Sequence, residues 1–170
     1  RTEHLLNGHI DGMWLCTFHS AAGKILRQNA DRIGYNSNFT IYDENESLQV
    51  IRECQRKLNI DDKRIPAKSI KAVISKAKDE MMSPHAYAAV TKGSYDAEMY
   101  GKAYEMYQNS LKANNAMDFD DMIINVIELF KKNPDVLEHY QERFRYIMVD
   151  EYQDTNKAQY YFVSMLAKKY

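Results

Sequence analysis

The apolar positions of this chain fall into unalternated runs near its two ends and helix-spaced stripes between them. Met13 to Phe18 and Tyr146 to Val149 are runs without polar alternation, the pattern of strands buried on both faces. Asp11-Gly12 reads as the turn before the first run. After that run, Ala21 to Ala30 predicts a helix with Ala22, Ile25 and Leu26 facing inward, stopped at Gly34. Phe39-Thr40-Ile41-Tyr42 is a brief extended segment. Asp43 and Glu46 then have the spacing of a capping box, before a helix whose apolar side is Leu48, Val50, Ile51, Cys54 and Leu58.

Pro66 suits the first turn of a helix reaching Glu80, with Ile70, Val73, Ile74 and Ala77 inward and the lysines outward. Ser83-Pro84 starts another helix, through Tyr87 and Val90. Beyond a break at Gly93, a long helix runs from Tyr95 to Ala113. Its tyrosines recur at helical spacing and are assigned to packing rather than base stacking. Asp118 is placed to cap a helix from Phe119 to Phe130, with Asp121 in its first turn. Asn133-Pro134 opens a short helix to Tyr140-Gln141, and Asn156 to Ala167 is the last helix. Short strands around a helical middle predict a mainly helical α/β fold with boundaries near residues 35 and 143.

Composition adds little at the level of the whole chain. Its 170 residues carry 23 Lys and Arg against 24 Asp and Glu, so net charge gives no sign of nucleic acid. Locally the balance shifts: Arg56 to Lys78 holds eight basic residues against Asp61 and Asp62. That stretch is either a phosphate-facing surface or an ordinary solvated helical face. Cys16 and Cys54 sit far apart in apolar patterns and are expected to be buried free thiols in a reducing cytosol. Nothing resembles a membrane span or secretory signal. The start at Arg1 without a methionine suggests a piece of a longer polypeptide.

The chemistry gathers at Asp150-Glu151, where the second apolar run ends, with a further carboxylate at Asp154. In open α/β sheets ligands gather outside the carboxyl ends of strands. A carboxylate there can hold Mg²⁺, a hard cation that also binds phosphate oxygens, and its neighbour can poise a water. A solvated loop is the alternative.

Asp150-Glu151-Tyr152-Gln153-Asp154-Thr155-Asn156 resembles motif II, the Walker B element, of superfamily 1A DNA helicases of the PcrA/UvrD/Rep group. Thr17-Phe18-His19-Ser20, Asp118-Phe119-Asp120-Asp121 and Tyr140-Gln141-Glu142-Arg143-Phe144 extend the resemblance upstream. It implies an incomplete P-loop NTPase (RecA-like) domain with an inserted all-helical accessory domain. Residues 1–35 and 143–170 would be pieces of motor domain 1A, and 36–142 the accessory domain 1B. It also implies an ATP-dependent 3′-to-5′ helicase as parent, with Mg²⁺ and ATP as cofactors and single-stranded and fork DNA as partners. Asp150 would bind the metal and Glu151 would activate water. Gln153 would couple the nucleotide to the DNA side, and Asp154 would position neighbouring elements. Thr17 and His19 become DNA-contact candidates, although a cap, a packed histidine or a surface residue are equally ordinary readings of His19. Lys68, Lys71 and Lys76 become candidates for duplex phosphates. A cytoplasmic, nucleoid-associated location follows from the same resemblance.

No G-x-x-x-x-G-K-[ST] occurs in the 170 residues, so the phosphate-cradling lysine loop is not in this stretch. ATPase and helicase activity of the chain alone, and bound cofactor, are therefore not expected. Motor-domain strands without their neighbours offer edges for self-association. The competing readings are a helicase-nuclease subunit of the same superfamily, a non-catalytic DNA-binding or structural domain, and a metal-dependent hydrolase built on Asp150, Glu151 and Asp154.

Overall fold

The computed structural model describes residues 12–91 and 93–170. Of the turn expected at Asp11-Gly12, only Gly12 falls among them, with φ 82°. Helix α1 (Phe18–Asn29) starts where the Thr17 hydroxyl accepts the Ser20 amide, and Ala22, Ile25 and Leu26 form its buried stripe. A 3₁₀ turn (Ala30–Ile33) ends at Gly34, whose φ of 75° suits a residue without a Cβ. Strand β1 (Thr40–Tyr42) pairs in parallel with β2 (Ala116–Asp118), Thr40 opposite Ala116 and Tyr42 opposite Asp118. The remaining helices are α2 (Glu44–Lys57), α3 (Ala67–Asp79), α4 (Pro84–Val90), α5 (Tyr95–Ala113), α6 (Phe119–Lys132), α7 (Pro134–Arg143) and α8 (Lys157–Ala167). None of the described helices is long and apolar enough to cross a membrane.

The caps follow the sequence. Asp43 and Glu46 form a reciprocal capping box on α2, and Asp118 with Asp121 does the same on α6. Ser83 caps α4 and Ser94 caps α5.

Both apolar end runs depart from expectation. Residues 13–17 and 144–149 form no strand. Tyr146 is 96% exposed and Met148 98%, while Ile147 packs against the helical core. A run becomes a buried strand only with strand partners along its edges and packed layers over both faces, and neither segment has a strand partner among the described residues. Trp14 in the first run instead packs on Phe144, ring centroids 4.8 Å apart. Cys54 is buried as expected, but Cys16 is exposed in this open run.

Two hydrophobic cores organise the helices. One joins α1, α6, α7 and α8 through Leu26, Val126, Phe130, Tyr140 and Phe162. The other joins α2, α3 and α5 through Ile51, Ile70, Ile74, Tyr107 and Leu111. Side chains of a strand alternate, so β2 sends Met117 into the first core and Ala116 into the second.

A charged cluster lies beside this strand. Lys78, only 2% exposed, places Nζ 2.8 Å from both Asp118 Oδ2 and Asp121 Oδ1. The expectation that every α3 lysine faces solvent fails here, because two buried carboxylates require a countercharge. Tyr107 donates its hydroxyl to Asp118 at 2.8 Å, and Gln108 Nε2 donates to Asp121 at 3.0 Å. Burial acts to raise the Asp118 carboxyl, but Lys78, Lys71 and the Asp121 amide together hold it well below the usual range. For Asp121, burial dominates and, with the Asp118 charge beside it, raises the carboxyl despite Lys78.

Lys78→Met strands two buried carboxylates without their cation. It is expected to lower the unfolding free energy by about 3–5 kcal/mol in urea denaturation. Lys76→Met, on an exposed position of the same helix, should stay within about 0.5 kcal/mol of the parent. Equal effects of the two substitutions would contradict the role given to Lys78.

Candidate nucleotide motif and DNA-facing surface

The acidic stretch leaves the core on a tight turn. The Glu151 amide donates to Asp150 Oδ1 at 3.0 Å, and Glu151 itself takes φ 50° and ψ 42°. A non-glycine residue in this left-handed region stores about 1 kcal/mol or more of strain. A 3₁₀ turn (Tyr152–Asp154) follows, closed by the Asp154 amide on the Glu151 carbonyl at 2.9 Å. Within it the Gln153 side-chain amide donates to the Glu151 carboxylate. The Thr155 hydroxyl returns to the Tyr152 carbonyl at 2.8 Å. Asn156 then caps α8 by accepting the Gln159 amide, also at 2.8 Å. Tyr152 meets Tyr160 edge to face, with centroids 6.3 Å apart.

Asp150, Glu151, Gln153 and Asp154 are thus gathered on one exposed turn. Among the described residues no group of three or more His, Cys, Asp or Glu side chains converges as a metal cage. Mg²⁺ does not require one: it commonly keeps several waters and takes one or two carboxylates plus substrate phosphates. An exposed Asp150 carboxylate meets that requirement. The same arrangement offers no multi-carboxylate hydrolase centre.

A second region collects most of the other sequence-derived candidates. Thr17, exposed, spends its hydroxyl on the α1 cap. His19, half-buried, stands edge to face with Phe119 at 5.7 Å. Phe119 is 50% exposed at the first position of α6. It also lines a cavity of about 360 Å³ whose charged lining is Lys68 and Lys71 together with Asp43, Glu44, Asp118 and Asp120. Lys68 is exposed, whereas Lys71 is half-buried, 3.3 Å from Asp118 and 3.4 Å from Asp120. Ser75 donates to Asp120 at 2.7 Å. Lys76 is exposed on α3 but does not line this cavity.

Phe119 therefore joins His19 to this cavity; the sequence reading places it within Asp118-Phe119-Asp120-Asp121 at a helix start and gives it no role of its own. The available signal was an aromatic at a helix start among three acids, where an amphipathic stripe would place a polar residue.

The whole chain, residues 1–170, matches the UvrD/REP helicase N-terminal domain. It is 44% identical over its full length to the ATP-dependent DNA helicase PcrA of Bacillus subtilis, and equally to those of Staphylococcus epidermidis and Staphylococcus aureus. In each case the match covers 100% of this chain and 23% of the relative. A mainly helical fold with a two-stranded parallel sheet, an exposed acidic turn and a family match without gaps in coverage have one common explanation. The chain belongs to the UvrD/REP helicase N-terminal domain family.

Proposed function

We propose that this chain is part of an ATP-dependent 3′-to-5′ DNA helicase that moves on single-stranded DNA and unwinds duplex ahead of it. The observation that carries the reading is the exposed turn in which the Glu151 backbone, the Asp150 carboxylate and the Gln153 amide are held together by local hydrogen bonds. Bound Mg²⁺ would neutralise charge on the phosphates during transfer. Asp150 is the side chain that would hold it. Glu151 orients the attacking water and accepts its proton, and Gln153, hydrogen-bonded to Glu151, senses the state of that carboxylate. Asp154, whose amide closes the turn, positions the elements around it.

The DNA side is assigned to Thr17, His19 and Phe119, with Lys68 supplying charge. Phe119 offers an exposed ring on which a base can stack, and His19 braces its edge. Lys71 is spent on Asp118 and Asp120, which favours Lys68 and Lys76 over it as phosphate contacts. Core membership also bears on the domain plan. Residues 1–35 and 143–170 are assigned to the motor side, and α6 and α7 share their core. This favours a helical insertion ending near residue 115 rather than 142.

Three outcomes follow. The 170-residue chain alone, lacking a lysine loop, should turn over no ATP with single-stranded DNA present; stimulated turnover lost in Glu151→Gln would contradict this. In the full-length helicase, Glu151→Gln should lower ATP turnover by about 10²–10⁴-fold with nucleotide binding retained. Phe119→Ala should weaken single-stranded DNA binding by about 1–3 kcal/mol, measured by fluorescence anisotropy. Unchanged affinity would remove Phe119 from the DNA surface.

A further inference from the structure

The acidic turn and the Phe119 edge are separate in sequence, and the C-terminal end of α3 touches the supports of both. On one side, the Asn156 side-chain amide, beyond its role as the α8 cap, donates to Asp79 Oδ1. Lys157 adds a second contact between the same segments, with Nζ 3.3 Å from Glu80 Oε2. On the other side, Lys78 bridges Asp118 and Asp121, the two halves of the α6 capping box. Consecutive helical residues project about 100° apart, so positions 78 and 79 can serve two different partners without any change in α3.

The chemistry of the two contacts differs in a useful way. Lys78 is enclosed, and breaking its ion pairs costs more than local rearrangement returns. The Asp79 contact is half-buried and ends on a neutral amide, so it can lengthen or break at small cost. Desolvation, with Asp120 and Glu80 nearby, raises the Asp79 carboxyl; an acceptor there suits a side-chain amide without requiring a cation. Together they make a firm joint at the DNA-facing end and a releasable one at the acidic turn.

We propose that Asp79 is a positioning residue that couples the Asp150–Asp154 turn, through α3 and Lys78, to the placement of Phe119 on DNA. The proposal rests on the helicase reading above. A shift of the turn that moves Asn156 makes or releases the Asp79 contact, and α3, a rigid element fixed at Lys78, is held or freed with it at the first turn of α6. DNA affinity then depends on what occupies the acidic turn, and by linkage nucleotide affinity depends on DNA.

The test uses the full-length helicase carrying this chain, a fluorescent oligothymidylate, and a nonhydrolysable ATP analogue with Mg²⁺. The readout is the ratio of DNA dissociation constants with and without the analogue. Asp79→Ala should shrink that ratio by about fivefold or more while leaving DNA-independent ATP turnover within about twofold of the parent. Asp79→Asn keeps an acceptor for the Asn156 amide and should restore the parental ratio, which a merely structural loss would not allow. Asn156→Ser keeps the α8 cap oxygen and deletes the donor to Asp79, so it should reproduce the Asp79→Ala ratio even where Asp79→Ala folds poorly. An unchanged ratio in Asp79→Ala or Asn156→Ser, or no rescue by Asp79→Asn, overturns the coupling role. Phe119→Ala is run alongside. If it weakens DNA binding while the Asp79 ratio stays parental, only the coupling fails; if it leaves DNA binding unchanged, the helicase reading of this surface fails first.

Discussion

The start of α6 and the end of α3 depend on one buried lysine. Lys78 sits between Asp118 and Asp121, each 2.8 Å from its ammonium group. Two carboxylates this deeply enclosed would repel one another and fail to ionise together without it. With it, both can cap the first turn of α6, and Tyr107 and Gln108 fill the remaining hydrogen-bonding capacity. The cost of desolvating three charges means that the cluster is not evidence for high stability. Its consequence is geometric: the start of α6 and the end of α3 are fixed against each other, and Phe119 is fixed with them.

The short β1–β2 pair explains how two cores meet beside this cluster. A three-residue parallel pair contributes few hydrogen bonds, and alone it would be marginal. Its value is alternation, which sends neighbouring residues of β2 into different cores just before Asp118 begins the cap. The apolar run before Asp150 has the opposite character. Ile147 is packed, whereas Tyr146 and Met148 stand open. One face packs on the helical core and the other is exposed among the described residues, and Asn156 ties the end of the acidic turn to α3.

Much of this was legible in the sequence because local rules dominate helix starts. The Asp43–Glu46 and Asp118–Asp121 spacings, Ser83-Pro84 and Gly34 each mark a boundary through a single side chain or a single φ. The Ala22, Ile25 and Leu26 stripe was legible for the same reason. What periodicity could not show was pairing. A run such as Tyr146 to Val149 has the composition of a buried strand, but strand formation depends on partners supplied from elsewhere in the chain. β2 was hidden for the complementary reason: three residues are too few to alternate visibly. Lys78 was assigned to solvent because a helical wheel knows nothing of two carboxylates forty residues away. At the candidate site, residue type and position left Asp150 and Glu151 open to a solvated-loop reading and the motif resemblance singled them out, while Phe119 emerged only when His19 was found against its ring.

The central claim is that the first turn of α6 is held as firmly as the core, unlike an ordinary helix end that frays. Native-state hydrogen exchange of the Asp121 amide, which donates to Asp118 Oδ1 at 2.9 Å, tests it most directly. The account predicts that this amide exchanges only with global unfolding, alongside the amides of Val126 and Leu129. Exchange at the fast rate of a frayed helix terminus, independent of denaturant, would contradict it.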